Sequence, residues 1–248
     1  MKYYFLFTVF LAASQQVCSQ ALFYSTMKIE FEKTVNIRNQ VRDMSPEWYA
    51  QMKEQLPQNA YSYFDFISDN NKTIYKPGKE APPDPRLRMF FGNNTNDKNI
   101  VYCDLDSGII ISRKQVFEEL FLMKDSQLNI KWKITADTRN IAGFECRKAV
   151  GILYDTIGLF AFYTDELMVS GGPESINGLP GMILGLAVPR LHTTWFATKV
   201  EVNGVPVNEI VPEKKGKKVN RKEMIEAVEK ATKDWGNFFS ILRVSLII

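Results

Sequence analysis

Ser170-Gly171-Gly172-Pro173-Glu174-Ser175-Ile176-Asn177-Gly178-Leu179-Pro180-Gly181-Met182-Ile183-Leu184-Gly185-Leu186-Ala187-Val188-Pro189-Arg190 is the stretch around which the chain is organised. Within it, Gly178-Leu179-Pro180-Gly181 predicts a type II turn: proline presets φ at the second position and glycine supplies the positive φ of the third. An apolar run from Met182 to Val188 follows, interrupted by Gly185 and stopped by Pro189. That run predicts a short strand covered on both faces, with a bulge or a close backbone approach at Gly185. Gly171, Gly172 and Pro173 form a turn-rich approach to it. The corner therefore has two readings, a structural bend or a binding loop on a stiff scaffold. On the second reading the ligand-binding residues are Gly171, Gly172, Pro173, Gly178, Leu179, Pro180, Gly181 and Met182.

Outward from the corner the pattern is mostly β. From Tyr24 to Arg38, Met27, Ile29, Phe31, Val35 and Ile37 alternate with polar residues, the period of a strand with one buried face. Ser45-Pro46-Glu47 signals a short helix, with Trp48, Met52 and Leu56 along one side. Ala60–Ile67 and Lys72–Tyr75 predict a hairpin, and the prolines between Lys76 and Arg88 predict an exposed loop. Further strands are expected at 99–103, 108–112, 128–134, 143–152, 159–163 and 193–202, while 115–123 suits strand or helix. Asn203-Gly204 predicts another hairpin. Residues 213–222, with Lys214, Lys215, Lys217 and Lys218, predict a solvated basic linker. Met224, Val228, Ala231, Trp235, Phe238 and Leu242 recur at helical spacing, predicting one C-terminal amphipathic helix over 221–243. The apolar end, Val244 to Ile248, adds an edge strand or packs under the sheet. The expected fold is mainly β with minor α: an antiparallel curved sheet or half-barrel in one domain over 20–248.

The corner also carries a resemblance. Gly178-Leu179-Pro180-Gly181-Met182-Ile183 resembles the six-residue signature of the GLPGLI family of secreted Gram-negative bacterial proteins. Met182 replaces the family's leucine at little change in volume. Similar surroundings include Trp132-Lys133-Ile134-Thr135, Ala142 to Ala149, Ala161-Phe162-Tyr163-Thr164 and Asn177. The resemblance implies an exported protein: periplasmic, outer-membrane associated or extracellular. It brings no catalytic residue with it.

The first residues agree with export. Lys2 followed by apolar Tyr3 to Ala13 predicts a signal peptide over 1–19, cleaved after Ser19; the alternative is lipidation at Cys18. No later run is long and apolar enough to cross a membrane. Cleavage leaves Cys103 and Cys146, which in an oxidising compartment most simply form a disulfide. It would close about forty residues, for which chain entropy gives roughly 4 kcal/mol. The formal net charge of +3 gives no global electrostatic case for nucleic acid.

The chemistry is constrained by a single histidine, His192. Any serine or cysteine nucleophile with an imidazole base must use His192; a thiol version pairs it with Cys146 or Cys103 and fails if the cysteines are bridged. A copper site would draw on Met182, His192 and Met168. The bland reading makes His192 a hydrogen-bonded strand-end residue. Asp104 with Asp106, and Asp165 with Glu166, are adjacent carboxylates with nothing to divide them into acid and base. No phosphate loop and no nucleophile elbow is present, and no cofactor is called for. The balance moves toward a non-enzymatic binding or accessory protein, holding a hydrophobic ligand or docking an outer-membrane or other envelope partner.

Overall fold

The computed structural model describes residues 24–91, 98–233 and 238–248; the expected leader, its cleavage or lipidation site, and Trp235 lie outside the described residues. The chain builds two up-and-down meanders. The first runs through β1 (Met27–Asn36), β2 (Asn59–Asp69), β3 (Lys72–Pro77), β4 (Ile100–Asp104), β5 (Ile109–Val116) and β6 (Glu119–Ser126). The second comprises β7 (Ile130–Ile141), β8 (Phe144–Leu153), β9 (Ile157–Thr164), β10 (Met182–Val188) and β11 (Thr193–Glu201). β1 pairs antiparallel with β11 and fuses the two, and β12 (Lys217–Val219) adds parallel to β6. The result is one open, curved sheet of 12 strands, with β12 and β7 at its edges.

The alternation in β1 does what its period demands. Met27, Ile29 and Phe31 are fully buried on the inner face, and Ile29 and Phe31 lie opposite Phe66 and Phe64 of β2. Tyr75 of β3 stacks on Phe64 with ring centroids 4.6 Å apart. Trp195 of β11, fully buried, stands opposite Lys33 of β1. Each large side chain removed from water here contributes about 1.5–3 kcal/mol before the entropy of ordering it.

Helices close the ends. Asn36 caps α1 (Ile37–Met44) by accepting from Asn39 N–H, and Ser45 caps α2 (Pro46–Met52), with proline in its first turn. Ile37, Val41 and Leu56 form a small core beneath them. The proline-rich loop expected over 76–88 gives way at its end to α3 (Pro85–Phe91), where proline sits in the first turn and Asp84 accepts from Arg86 N–H. α4 (Arg221–Thr232) starts with a full capping box between Asn220 and Glu223, and sets Met224 and Val228 against Phe121 and Met123 of β6. α5 (Phe238–Ile247) sends Ile241, Val244 and Ile247, with Ile248, into the main core.

Several other expectations give way. The first strand stops at Asn36 because that side chain caps a helix instead of continuing the ladder. Residues 115–123 are strand, turned at Phe117 in left-handed backbone at φ 54°. Asn203-Gly204 makes no hairpin: Pro206 has no N–H for a ladder, and the chain coils into a 3₁₀ turn at Val207–Glu209. The basic linker is partly strand, because β12 pairs with the otherwise open edge of β6. The single C-terminal helix is two, α4 and α5. Of the two placements open to the apolar end, the second holds: it finishes α5 and packs inside.

Candidate functional site: the loop over the inner face

Between β9 and β10, residues 165–181 leave the sheet, and Gly171 through Asn177 are all buried. Ile183 N–H donates to Gly171 O at 2.9 Å, tying the outward limb to the first residues of β10. Ser175 donates through both its N–H and its hydroxyl to Ile248 O, coupling the loop to the end of α5. Trp132 of β7 donates its indole N–H to Asn177 O at 3.0 Å, and Gly178 N–H donates to Ser170 Oγ at 3.2 Å. Of the residues assigned to ligand binding, Gly171, Gly172, Pro173, Leu179, Gly181 and Met182 are buried; Gly178 and Pro180 are exposed. Gly171 lies against the Phe66 ring and Gly172 against Ile183. The buried part of the corner thus occupies the interior that the sequence reading left open for a ligand.

The corner itself is tighter than a type II turn. Gly181 N–H donates to Leu179 O at 2.8 Å, a three-residue turn about Pro180, while Met182 N–H goes to Leu167 O at 3.1 Å. Glycine is required at 181 by contact as well as by conformation: φ is 150°, and a Cβ would stand 2.1 Å from Thr164 O. Gly185 meets both expectations. The β9 pairing shifts register between Ile183 and Gly185, and a Cβ at 185 would come within 2.9 Å of Ile141 Cδ1 and Phe196 Cε1.

At the far reach of the loop sits a buried charge. Glu174, 3% exposed and in left-handed backbone at φ 56°, lies 3.5 Å from Lys33 Nζ, and Asn99 Nδ2 donates to it at 3.5 Å. The Lys33 ammonium stands 5.7 Å from the Phe64 centroid and 5.2 Å from that of Trp195. Among the described residues the buried Trp195 Nε1 has no hydrogen-bond partner. Lys33 and Glu174 were not singled out from the sequence. The available signal was Lys33 falling in phase with Met27, Ile29 and Phe31 on the inner face of β1.

The other proposed constellations do not assemble. Cys103 and Cys146 are free thiols, not a disulfide, and six strands of the sheet order separate β4 from β8. Burial pushes both thiols up to about 12; Thr73 opposes this at Cys103, and the Glu166 charge adds to it at Cys146. Such thiols are poor nucleophiles. His192 Nε2 meets Asp43 Oδ2 at 2.7 Å, holding α1 to the β10–β11 turn, where Asn36 N–H also donates to His192 O. Its hydrogen bond is the main cause that lowers the Asp43 carboxyl below its ordinary range. Met182 starts β10 and His192 follows its end, about 20 Å apart by strand rise. Met168 is 61% exposed, and no group of three His, Cys, Asp or Glu suited to a metal occurs among the described residues. Asp104 accepts from Asp106 and Ser107 N–H and so builds the β4–β5 turn. Asp165 and Glu166 line a polar cleft of about 220 Å³ with Glu145, Arg147 and Tyr163, where Arg147 and Asp165 are 3.8 Å apart.

This geometry defines a class: an open curved sheet whose inner face is covered at its middle by a non-repetitive loop. Two crystal forms of PNGF-II share the fold, at 14% identity with TM-scores of 0.52 and 0.51, covering 84% and 83% of this chain. The chain spans about a third of the length of PNGF-II, 34% and 33% in the two forms. An uncharacterised conserved protein from Thermus thermophilus aligns at 5% identity and a TM-score of 0.38, over 79% of this chain and 91% of its own. No protein-family model matches the sequence, and no curated protein does.

Proposed function

We propose that the protein is an exported cell-envelope binding protein, of the kind the Gly178–Ile183 signature resembles, acting without catalysis. Its site is the inner face of the sheet beneath residues 171–182. The observation that carries this reading is the nature of the cover. The apolar middle of the sheet is roofed by the 165–181 loop, which has no regular secondary structure and is held through bonds to Ile183, Ile248 and Trp132. Binding residues are disproportionately found on loops positioned by a rigid scaffold. Buried thiols, a histidine committed to Asp43, and carboxylates used in turns support binding rather than catalysis. The occupant is a hydrophobic ligand.

Native mass spectrometry of protein taken from an envelope extract tests this. The expected result is mature protein beginning at Gln20 with a discrete apolar adduct. Retention of the full leader in the cytosol overturns the export reading. Adduct-free protein after several mild extractions overturns the binding reading.

A further inference from the structure

We infer that the polar cleft where β8 and β9 meet the 165–181 loop receives a guanidinium cation, in the form of an arginine side chain presented by a partner protein or peptide. The inference does not depend on the inner-face reading above and adds a second site.

Strand register builds the cleft. Arg147 of β8 stands opposite Tyr163 of β9 in the antiparallel ladder. Carried past the end of the ladder, the same register sets Glu145 across from Asp165, and both line the cleft with Glu166. Like charges directly opposite one another destabilise a sheet. Three carboxylates therefore share this space with one guanidinium, that of Arg147. It offsets little of the repulsion: it stands 3.8 Å from Asp165, beyond hydrogen-bond distance, and the two side chains are 59% and 61% exposed. Among the described residues, no hydrogen bond or ion pair holds the side chain of Glu145 or of Glu166.

A second observation comes from the wall of the cleft. Tyr163 lines it and is 2% exposed, yet its hydroxyl has no hydrogen-bond partner among the described residues. Buried tyrosine hydroxyls usually find one, so this one is left for a group that arrives through the cleft. The backbone around it is braced: Tyr24 N–H donates to Glu166 O at 3.3 Å, and Met168 N–H to Tyr24 O at 2.9 Å. The arrangement of acceptors selects the cation. No three acidic, cysteine or histidine groups among the described residues are placed to hold a metal ion. Acceptors that do not converge on a point suit a flat cation with five donors better than a compact ammonium with three. At about 220 Å³ the cleft is smaller than the roughly 300–1,000 Å³ of sites for drug-sized ligands, and it suits a single long side chain. A free amino acid would bring a fourth carboxylate into it.

The test is an NMR titration of the full chain, followed through its amide shifts, with N-acetyl-arginine amide, N-acetyl-lysine amide and the neutral N-acetyl-citrulline amide. The arginine probe should give saturable shifts at 145–147 and 163–166, with an affinity about fivefold or more above that of the lysine probe. The citrulline probe should give none. Free arginine should bind several-fold more weakly than its blocked form. Tyr163→Phe keeps the buried ring and should weaken the arginine probe several-fold, as should Glu145→Gln. Arg147→Gln removes the resident cation and should tighten binding. Glu145 and Arg147 are exposed, so their variants leave the core untouched. The comparison of probes on the unaltered protein is independent of how any variant folds. Absent saturable shifts at those residues, or equal affinity for the lysine or citrulline probe, overturns the inference. So does wild-type affinity in Tyr163→Phe, or weaker binding in Arg147→Gln. Free arginine binding as tightly as the blocked residue overturns the presented side chain as the ligand.

Discussion

Gly181→Ala should be among the most damaging single-methyl changes in the chain. The added Cβ would sit 2.1 Å from Thr164 O, whereas real Cβ contacts essentially never fall below 3.0 Å. The clash is with backbone at the end of β9, where Thr164 pairs with Met182, so no rotamer relieves it. Separating the chains by the missing ångström breaks that pairing or the Gly181–Leu179 bond. Overpacking of this kind costs about 1–3 kcal/mol, and a backbone conformation suited to glycine adds roughly 1–3 kcal/mol. The sum, about 2–6 kcal/mol, is a large share of the roughly 5–15 kcal/mol available to a whole domain. At about 2–4 °C per kcal/mol for a chain of this size, melting should fall by roughly 4–24 °C. The control is Gly158→Ala on β9, where a Cβ meets nothing within 4 Å and φ is not positive. That change should be neutral or stabilise by up to about 1 kcal/mol. Urea unfolding followed by tryptophan fluorescence gives both values. A Gly181→Ala midpoint equal to wild type at unchanged slope would refute the close-approach argument.

Other expectations follow from the same geometry. Trp132→Phe keeps an aromatic ring, smaller than the indole, but removes the donor to Asn177 O, and should cost at least about 0.5–1.5 kcal/mol while speeding exchange at Gly178; unaltered exchange there would show that the bond does not hold the loop. His192→Ala should lose roughly 1 kcal/mol, and His192→Gly less, since position 192 is left-handed at φ 49°; thermal melts of the two variants should rank in that order. The Asp43 carboxyl is lowered by His192, so its contribution is complete above the ordinary carboxylate pKa and is lost progressively as acid takes the pH down through the lowered value. Asp43→Asn should therefore flatten the acid limb of a stability–pH curve, and an unchanged limb would count against the pairing. Alkylation of unreduced protein, mapped by mass, should modify Cys103 and Cys146 only after denaturation; a disulfide-linked peptide pair would contradict the structure.

Much of the architecture is legible in local pattern because its strands answer to period two. Met27, Ile29 and Phe31 announce an inner face, the stop at Pro189 ends β10, and Gly185 marks the irregularity at its middle, all without any tertiary knowledge. What failed was non-local. Asn203-Gly204 has ideal hairpin chemistry, but a turn needs a second strand, and Pro206 denies it one. Lys217–Val219 looks like a solvated tether because its ladder partner, Phe121–Met123, lies far back in the chain. The corner was legible as rigid. Its burial was not, since glycine, proline and serine read as surface whether they face water or a Phe66 ring. Lys33 was visible in outline as a charged residue at an inward position, but only its contact with Glu174 gives that anomaly a meaning.

The β1–β11 pairing has a consequence for how the chain is assembled. Within each meander neighbouring strands are joined by short connections, except where α1 and α2 or the 78–99 and 165–181 segments intervene. The seam between the meanders instead joins residues such as Thr198 and Glu30, 168 positions apart. Loop-closure entropy makes so distant a pairing the slow event, and local hairpins the fast ones. The polypeptide is in this sense a pair of half-molecules zipped along one line, with β12 and α4 reaching back from the second half to clasp β6 of the first. Cutting the backbone at Gln127, between β6 and β7, leaves each half with its own run of neighbours, and the two pieces should find each other again when mixed.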